Sequence, residues 1–481
     1  MNKTILINPP FNIAKENYDS SISVGLLSIA TYLDSKEVNV QIIDGARQKN
    51  HLDLIREQII DCDYVGLSVM TTQVSNALEI SKLIKSVNPG CRVVWGGSHP
   101  TFFVDQTIIH PLVDIVVVGE GEITFYDLVS GKDLSEIKGI AYKKEGEIIK
   151  NSPQALHNPA DTPLFKWELE PASILQNLEL IPSLTSRGCP HRCTFCINAI
   201  TKNRWRARTV EQVLEDLKVI KNHPHFQNKK LRFWDENFFV DINRARSIVS
   251  KMIEQDVIIP WETTIRADYI RDGMVNDELL TKLKKSGCEL LSFGAESGSP
   301  IILKKIKKDI MPEQILNAAK MCLKHDIIPQ FSFMIGLPGE SKKDMMLTLD
   351  VIDRLAKLDD KIQILGPQAF RPYPGSELYK ECLGAGWKAP STLDEWAHLV
   401  ENELSYLTVQ NFPWVKHKDF VESMEAYVRF GALSFKSAMG SSVKAQRILK
   451  LAFVLLCRLR WKLKFFAFPI EFKLAKRFVT K

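Results

Sequence analysis

The chain has 481 residues, of which 45% are hydrophobic and 25% are charged. This composition excludes a disordered, collagen-like or disulfide-framework protein, and the length suits two or three domains of roughly 100–200 residues each. The net charge is +6, but residues 441–481 carry eleven Lys or Arg and one Glu, so this tail is about +10 and the rest of the chain about −4. Non-specific attraction of anions therefore belongs to the tail.

The start of the chain and its cysteines indicate a compartment. The opening "MNKTILINPP" lacks the basic, apolar and small-residue regions of a signal peptide. Six of the nine cysteines are scattered singly, which is typical of a reducing compartment and not of a disulfide framework. We therefore expect an intracellular, cytoplasmic protein.

Residues 1–150 alternate apolar runs with helical patterns. Predicted strands include "TILINPP", "VNVQIIDG" and "YVGLSVMTT", and predicted helices between them include "SVGLLSIATYLDSK" and "SNALEISKLIKSV". Strands that are nearly continuous Val, Ile and Leu runs are covered on both faces, which predicts a parallel α/β sheet. Residues 141–155 are predicted to form a hairpin. Ligands of such sheets bind at the carboxyl ends of the strands.

A Pro-rich segment with little periodicity, "HNPADTPLFKWELEPAS", indicates a linker over residues 151–178. Six further strands are predicted between residues 179 and 385, with helical patterns between them. They are "LIPSLTSRG", "KLRFWDEN", "PWETTIRAD", "ELLSFGAES", "PQFSFMIGLPGE" and "KIQILGPQAF". Six βα units in a row predict a partial or complete α/β barrel.

Polar residues follow each of these six strands at its carboxyl end, where α/β barrels place their chemistry. In chain order they are the three cysteines, Asp235-Glu236-Asn237, Arg266 with Asp268, Glu296, Gly336 to Glu340, and Arg371-Pro372-Tyr373. One polar group at the same end of every strand predicts a common site there.

Three cysteines, Cys189, Cys193 and Cys196, lie within eight residues after the first of these strands. One interpretation is a zinc site completed by His191, although this ring would compete for space with the neighbouring thiolates. The other is a [4Fe–4S] cluster held by three thiolates, with its fourth iron open. An open coordination position is typical of a catalytic metal.

The spacing C-x3-C-x2-C, with Phe195 before the last cysteine, resembles the cluster loop of the radical S-adenosylmethionine (SAM) superfamily. The resemblance implies that the open iron binds SAM, whose reductive cleavage gives a 5′-deoxyadenosyl radical. It also implies residues around SAM, from its methionine end to its adenine: Asp235, Glu236, Asn237, Arg266, Glu296 and Gly336. A strand-end cap or a surface ion pair is the alternative for each residue alone. Asp235 departs from the family's commoner Gly-Gly-Glu.

A parallel α/β domain ahead of this barrel resembles the cobalamin-binding branch of the superfamily, which includes radical methyltransferases and anaerobic cyclases. The resemblance rests on "NPP", "SVGLLSIATYL", "GLSVMTTQ", "WGGSHPTFF" and "VVVGEGE", and it spans roughly residues 1–380. It implies an α/β architecture of five parts: a Rossmann-like (flavodoxin-like) B12-binding domain (1–150), a linker (151–178), a partial (β/α)6 radical SAM barrel (179–385), a mainly helical C-terminal region (386–440) and a basic amphipathic tail (441–481).

The corrin of cobalamin needs small residues, so that the backbone can approach it, and hydroxyls for its amide arms. The expected contacts are Ser68, Thr71, Thr72, Gly96, Gly97, His99, Gly119 and Glu120. Asp-x-His-x-x-Gly is absent after the first strand, so we expect no histidine of this domain on cobalt, and His99 to pack near the cofactor. The alternative is a generic Rossmann-like domain. A tRNA methylthiotransferase is disfavoured, because residues 1–150 hold only two cysteines.

Residues 447–466 have helical periodicity and an apolar face. That face consists of Ile448, Ala452, Leu455, Leu456, Leu459, Leu463 and Phe466. The longest uncharged run has seven residues, far fewer than the roughly 20 needed to cross a bilayer. Three interpretations stay open: the helix lies on an anionic membrane with Trp461 and Phe465 at the headgroups, it docks on the barrel, or it binds nucleic acid or a partner.

The favoured function is cobalamin-dependent methylation of an unactivated carbon after hydrogen abstraction by the 5′-deoxyadenosyl radical. A radical SAM/B12 oxidoreductase or cyclase, and a non-enzymatic sensor, are the alternatives. We expect a small or lipid-like substrate and an electron donor such as flavodoxin or ferredoxin, with nucleic acid disfavoured. Residues 371–379 and 385–440 are expected to close the barrel mouth, where Tyr373 is the catalytic candidate, although two prolines explain the turn at this residue.

Overall fold

The computed structural model describes residues 3–11, 22–198, 204–402, 409–433 and 444–479. Within these ranges the chain forms two large parallel sheets joined by a linker, and the C-terminal helices pack on both of them.

The N-terminal sheet contains seven strands. They are β1 (Lys3–Asn8), β2 (Val40–Asp44), β3 (Cys62–Ser68), β4 (Arg92–Gly96), β5 (Ile115–Val117), β6 (Ile140–Lys144) and β7 (Glu147–Lys150). Their order is β2-β1-β3-β4-β5-β6-β7, in which β1 to β5 are parallel and β6–β7 is an antiparallel hairpin. The parallel order is flavodoxin-like, so its ligand site lies at the carboxyl ends near the switch between β1 and β3. The predicted sheet and hairpin are confirmed.

Helices cover both faces of this sheet because its strands are apolar on both sides. They are Val24–Asp34, His51–Gln58, Val74–Val87, Ser98–Phe102, Val104–Ile109 and Glu122–Val129. The short helix Ala172–Gln176 lies in the linker.

The second sheet is a partial barrel. Its region contains β8 (Leu180–Ser183), β9 (Ser186–Arg187), β10 (Arg206–Ala207), β11 (Lys230–Phe233), β12 (Trp261–Ile265), β13 (Cys288–Glu296), β14 (Ile328–Ile335) and β15 (Gln363–Ala369). Six of them pair in parallel in the order β8-β11-β12-β13-β14-β15, and the short pair β9–β10 is separate and antiparallel. All six predicted barrel strands are confirmed.

The barrel helices begin where the sequence supplies caps. They are Val210–Asn222, Ile242–Glu254, Asp277–Lys285, Pro300–Lys305, Pro312–Lys324 and Lys342–Ala356. Thr209 caps the first of these helices, and its hydroxyl accepts from the backbone N–H of Gln212, whose side chain in turn accepts from Thr209 N. Such reciprocal capping fixes where the chain leaves a strand-end loop and enters a helix.

The apolar core joins the two sheets. One continuous cluster of buried side chains extends from Leu26 under the N-terminal sheet, through Trp167 of the linker, to Phe233 of the barrel. A second cluster on the other face of the N-terminal sheet includes Trp95 and also Trp396 from the C-terminal region. The linker is therefore part of the core, and the two sheets are packed together.

The C-terminal region is helical, as predicted. Its helices are Glu377–Gly384, Leu393–Asn402, Lys418–Tyr427, Lys444–Leu463 and Ile470–Val479, with a π-helical turn at Val428–Ala432. Trp396 is buried against the N-terminal domain, and its Nε1 donates to Gln106 Oε1 at 3.1 Å. Part of the region predicted to close the barrel mouth therefore packs on the N-terminal domain.

The tail helix docks through a face that periodicity did not identify. Val454, Cys457 and Trp461 are buried, whereas Leu455 and Leu459 of the predicted apolar face are exposed. The prediction that Trp461 lies at membrane headgroups is wrong, because this ring packs inward. Apolar residues occupy two opposite faces of this helix, and periodicity alone does not tell which one docks. Among the described residues, none of the helices has the length and apolar character needed to span a bilayer.

Candidate active site

A cavity of about 280 Å³ lies between the carboxyl end of the N-terminal sheet and the barrel. It is lined by residues of both units, among them Ser68, Gly96, Gly97, Gly119 and Glu120 from the first and Leu184, Arg187 and Glu236 from the second. Because ligands of parallel α/β sheets bind at the carboxyl ends of strands, the two ligand sites face each other across this space.

Two glycines shape the N-terminal wall of the cavity. Gly97 has φ +97°, and a Cβ placed there would lie 2.8 Å from the backbone N and O of Val69. Gly119 has φ +87°, and a Cβ there would meet nothing within 4 Å. A glycine is therefore required at position 97, because a side chain there would clash with the Val69 backbone. Gly119 leaves open space beside the cavity. A broad flat ligand that needs close backbone approach fits this wall.

His99 and Thr71 lie behind this wall and do not line the cavity. The Thr71 Oγ1 and His99 Nδ1 atoms are 3.1 Å apart, and the imidazole is enclosed by the rings of Phe103 and Trp396 at centroid distances of 5.0 and 5.5 Å. Burial lowers the pKa of His99 to about 3, so its ring is neutral. Thr72 follows in the same short helix, outside the cavity lining. The absence of a histidine ligand to cobalt stays a prediction.

The cysteine loop follows β9 at the carboxyl end of the barrel. Cys193 is buried, Cys189 and Cys196 are half-buried, and all three are free thiols. Burial raises the pKa of each thiol, and the charges of Lys308 and Arg266 oppose this effect at Cys193. Half-buried Phe195 packs against the core within the loop.

Backbone hydrogen bonds fix this loop on two sides. Thr194 N donates to Ile306 O at 3.0 Å, and Leu378 N donates to Thr194 O at 3.2 Å. The loop is thereby tied to the segment after β13 and to the first C-terminal helix.

The arrangement of the thiols distinguishes the two metal interpretations. Among the described residues, no three His, Cys, Asp or Glu side chains are grouped so that they could hold a metal ion. His191 instead has its Nε2 2.9 Å from the Tyr269 hydroxyl. A zinc site needs all its ligands on one ion, whereas a four-iron cluster takes each thiolate on a different iron. With His191 beside Tyr269, the three thiolates at this spacing suit the cluster.

Asp235, Glu236 and Asn237, which follow β11, differ in burial and in hydrogen bonding. Asp235 is fully buried, and its carboxylate accepts from Thr185 N at 2.7 Å, Thr185 Oγ1 at 2.6 Å and Ser186 Oγ at 2.5 Å. This carboxylate holds the chain at Thr185 and Ser186, just ahead of the cysteine loop, and its contact with SAM stays a prediction. Glu236 lies open to the cavity and accepts from Gly188 N at 3.0 Å. Asn237 is also buried: its Oδ1 accepts from Phe239 N at 3.2 Å, and its side chain hydrogen-bonds Tyr269, which opposes the rise in the pKa of that tyrosine caused by burial.

Cations lie beside the cysteine loop. Arg266 is buried, and its guanidinium donates to Asp268 Oδ1 at 2.9 Å and to Lys308 O at 2.5 Å. Lys308, which the sequence patterns did not single out, is also buried and lies 3.2 Å from Glu296 Oε1. Glu296 has φ +65° at a register shift of β13, a strained conformation that is typical of functional strand ends. The site thus offers positive charge for a ligand carboxylate and an acidic group for hydroxyls.

Gly336 packs against the C-terminal region. Its carbonyl accepts from Trp414 Nε1 at 2.9 Å, and a Cβ there would lie 3.1 Å from Val421 Cγ1. Its N–H donates to the half-buried Glu340, whose pKa burial raises to about 8. The place of Gly336 along the adenine stays a prediction. Tyr373 is exposed in the loop after β15, outside the interdomain cavity.

Sequence reasoning missed an ionic connection between the two domains. Arg187, two residues before the first cysteine, donates to Glu122 Oε1 at 2.5 Å and to Ser28 Oγ at 2.9 Å. Burial alone would raise the pKa of Glu122, but the charge of Arg187 and these hydrogen bonds lower it to about 2. Arg206 forms a second, bidentate ion pair with Glu120, in which Nη1 donates to Oε2 at 2.8 Å and Nη2 donates to Oε1 at 2.9 Å. Only the position of "SRG" directly before the cysteines could have signalled Arg187.

Two family models match the chain. The model described as the radical SAM superfamily matches residues 183–352, and the B12 binding domain matches residues 16–129. The first match begins in β8 and includes the cysteine loop, and the second covers most of the N-terminal sheet. Both predicted domain types are thereby confirmed.

Known proteins resemble this chain over most of its length. An uncharacterized methyltransferase of Pyrococcus horikoshii is 29% identical over 449 residues, which is 87% of this chain and 95% of the relative. The anaerobic magnesium-protoporphyrin IX monomethyl ester cyclase of Rubrivivax gelatinosus is 26% identical over 383 residues, 74% of this chain and 64% of the relative. The structure of the cobalamin-dependent SAM radical enzyme OxsB with aqua-cobalamin bound superimposes with a TM-score of 0.67 at 19% identity, covering 96% of this chain and 72% of that one. At this identity the superposition shows a shared fold.

Proposed function

We propose that this chain, which belongs to the radical SAM superfamily and carries a B12-binding domain, is a cobalamin-dependent methyltransferase that acts on an unactivated carbon. The observation that supports this most directly is the cavity between the domains, because Gly97 of one and Glu236 of the other line the same space. A methyl donor on one domain and a radical source on the other would meet a substrate there.

The cofactors are a [4Fe–4S] cluster, SAM and cobalamin. When bound, the cluster and SAM supply a 5′-deoxyadenosyl radical that removes a substrate hydrogen, and cobalamin supplies a methyl group. The residues we assign to hold them are Cys189, Cys193 and Cys196 for the cluster, Glu236, Asn237, Arg266 and Glu296 for SAM, and Ser68, Gly96, Gly97 and Gly119 for cobalamin.

The protein's own contribution is to keep the two cofactor sites at a fixed separation. Asp235 holds the strand that leads into the cysteine loop, and Arg187 ties this strand to Glu122 of the other domain. The Asp235 contact is buried, so water does not compete for it, and the Arg187 contact is part-buried at the cavity wall. A rigid arrangement matters here because a misplacement of about 1 Å can cost on the order of 10²-fold in rate.

A radical SAM/B12 oxidoreductase or cyclase is the second candidate. It is favoured by the likeness to the magnesium-protoporphyrin cyclase. That likeness covers less of both chains than the likeness to the methyltransferase-named relative. We therefore rank methyl transfer first.

The test separates the candidates without knowledge of the substrate. The full chain is reconstituted anaerobically with iron, sulfide and cobalamin, reduced with dithionite and given SAM whose methyl group is deuterated. We expect 5′-deoxyadenosine and deuterated methylcobalamin, both measured by mass spectrometry. Formation of 5′-deoxyadenosine without labelled methylcobalamin would favour the cyclase or oxidoreductase. No 5′-deoxyadenosine at all would contradict the enzyme assignment.

A matched pair of variants assigns the products to the loop. Cys193→Ala removes a thiol that we assign to the cluster, and Cys382→Ala removes a buried thiol outside the loop. We expect Cys193→Ala to lose 5′-deoxyadenosine and to keep cobalamin, while Cys382→Ala keeps both. Equal losses in the two variants would contradict the assignment.

The finer features of location and partners belong to the same proposal. We propose a cytoplasmic enzyme with a small or lipid-like substrate and a one-electron donor such as flavodoxin or ferredoxin, because the cluster needs a reducing compartment. We propose that the domain boundaries follow the two sheets, with B12 binding in 1–150 and the barrel in 179–385. Tyr373 stays a catalytic candidate only if the loop after β15 turns toward substrate.

A further inference from the structure

The helix Lys444–Leu463 is fixed to the barrel along one side. Val454, Cys457 and Trp461 are buried on this side, and Trp461 Nε1 donates to Asp353 Oδ1 at 2.7 Å. A Cβ on Gly431 would lie 2.8 Å from Cys457 O, so the helix backbone lies close to the π-helical turn. The orientation of the helix about its axis is therefore set by tight contacts.

The side opposite these contacts is apolar and exposed. Leu455, Leu459 and Leu463 are 58%, 53% and 64% exposed. They recur every fourth residue, so they form one line along the helix, roughly half a turn away from the buried line. A helix on the surface of a water-soluble protein normally carries polar residues on its solvent-facing side. Leu451 and Leu456 flank the line and are exposed as well.

Further exposed apolar side chains follow the end of the helix in the sequence. Phe465, Phe468, Ile470 and Leu474 are exposed in the turn and in the helix Ile470–Val479. Several exposed apolar side chains on two successive elements indicate an interaction surface, unlike single exposed leucines. We call this set of exposed side chains from Leu451 to Leu474 the apolar ridge.

A basic pocket lies at the end of the ridge. This pocket, a cavity of about 520 Å³, is lined by Phe468 and Ile470 and by five basic side chains: Lys342, Lys416, His417, Lys418 and Lys473. Asp419 is the one acid in its lining, and Lys473 Nζ neutralises it at 2.6 Å. Positive charge therefore surrounds a cavity whose rim is part of the ridge.

The positive charge of this surface determines which partner can bind to the ridge and the pocket. The tail 441–481 carries about +10, and its one acid, Glu471, is paired with Arg460 Nε at 2.5 Å. A second copy of the chain would bring an equally basic tail, so self-association through the ridge is opposed by repulsion. An anionic lipid surface offers acyl chains to the leucines and phosphate headgroups to the lysines.

We propose that the apolar ridge and the basic pocket dock the protein on an anionic membrane surface, with a lipid headgroup phosphate in the pocket. The leucines lie in the plane of the interface, and the docked side of the helix keeps its contacts with the barrel. Lys342 begins the helix that follows β14, so the pocket lies toward the carboxyl end of the barrel strands. This inference does not depend on the reaction that the enzyme catalyses.

The experiment is co-sedimentation of the full chain with vesicles. Vesicles of phosphatidylcholine with phosphatidylglycerol are compared with vesicles of phosphatidylcholine alone. We expect binding to the anionic vesicles that weakens as salt rises, and little binding to the neutral ones. Equal and small binding to both would overturn the proposal.

Two double variants test the two parts of the surface. Leu459→Glu with Leu463→Glu adds charge to the ridge, with Ile301→Glu, a 72% exposed barrel position, as the control for an exposed apolar site. Lys342→Glu with Lys416→Glu reverses charge at the pocket, with Lys49→Glu and Lys218→Glu as the charge-matched control. We expect at least tenfold weaker binding for each test pair and less than threefold change for the controls.

Other outcomes decide against the proposal. If test and control variants bind vesicles equally, the ridge and pocket are not the docking surface. If the wild type is dimeric in light scattering and the ridge variant is monomeric, the ridge is a contact between copies. Far-ultraviolet circular dichroism and thermal melting check that each variant is folded. We expect every variant to fold, because substitutions at exposed positions usually change stability little.

Discussion

Replacement of Arg187 by methionine tests the ionic connection between the domains. Methionine keeps much of the unbranched length of arginine but removes the charge, so Glu122 stays buried without a counter-charge. Breaking a buried ion pair from one side typically costs 3–5 kcal/mol, because the remaining charge is uncompensated. The Arg187–Glu122 distance is 2.5 Å and the side chains are 14% and 3% exposed, so this pair is close to that class.

The structure gives an independent magnitude. The pKa of Glu122 falls from the usual 4.5 to about 2, which at about 1.4 kcal/mol per pKa unit corresponds to about 3 kcal/mol. A depressed pKa contributes stability above pH 4.5 and loses it as the pH falls toward 2. In Arg187→Met, burial is the largest effect left on Glu122 and raises its pKa against the remaining Ser28 hydrogen bond, so this variant loses stability as the pH rises above about 4.5. The deficit is therefore largest near neutral pH.

Urea unfolding followed by circular dichroism measures this deficit. We expect Arg187→Met to lose about 3 kcal/mol of apparent free energy of unfolding near pH 7.5 and distinctly less near pH 5. Adding Glu122→Gln should recover more than half of the loss, because it removes the stranded charge. The control is Arg56→Met, whose partner Asp53 lies 2.9 Å away in a pair that is 56% and 71% exposed, and which should change stability by about 0–1 kcal/mol. Equal losses for Arg187→Met and Arg56→Met, or no recovery in the double variant, would refute the reasoning.

Three further predictions concern the wall, the linker and the loop. Gly97→Ala should cost about 1–3 kcal/mol and weaken cobalamin binding measured by absorbance, whereas Gly131→Ala, also at positive φ but with nothing within 4 Å, should leave cobalamin binding unchanged. Burial raises the pKa of Glu170 to about 8, so the wild type should lose stability as pH rises from 4.5 to about 8, and Glu170→Gln should abolish this decline in urea midpoints. Asp235→Asn should cost about 2 kcal/mol or more and lower iron loading of the cysteine loop, with cobalamin binding retained as the internal control.

The barrel strands, and the end of the barrel that carries the candidate site, were predictable because their sequence signals are local. Continuous apolar runs identified all six barrel strands, and the polar residues after them identified the active end. The cysteine loop was predictable for the same reason, since its three thiols lie in one short segment. A strand-end position tells which edge of the sheet a residue occupies.

Side-chain direction was not predictable, because it depends on residues that are distant in the sequence. His99 is enclosed by Trp396, which comes from the C-terminal region, and nothing near His99 indicates this neighbour. Arg187 and Glu122 are 65 positions apart, and neither carries a pattern that points to the other. The tail helix has two apolar faces, and only the contacts of Trp461 with the barrel show which one is covered.

The end of β11 shows why one strand end can serve both cofactor sites. Burial alternates over the three residues that follow β11: Asp235 and Asn237 are buried, while Glu236 opens to the interdomain cavity. Asp235 therefore supports the cysteine loop while its neighbour faces the space beside the B12-binding domain. A shift of the chain by one residue would move Asp235 away from Thr185 and Ser186, from which its carboxylate accepts hydrogen bonds. The position of the cluster loop and the acidic lining of the cavity are consequently set together by the register of one strand.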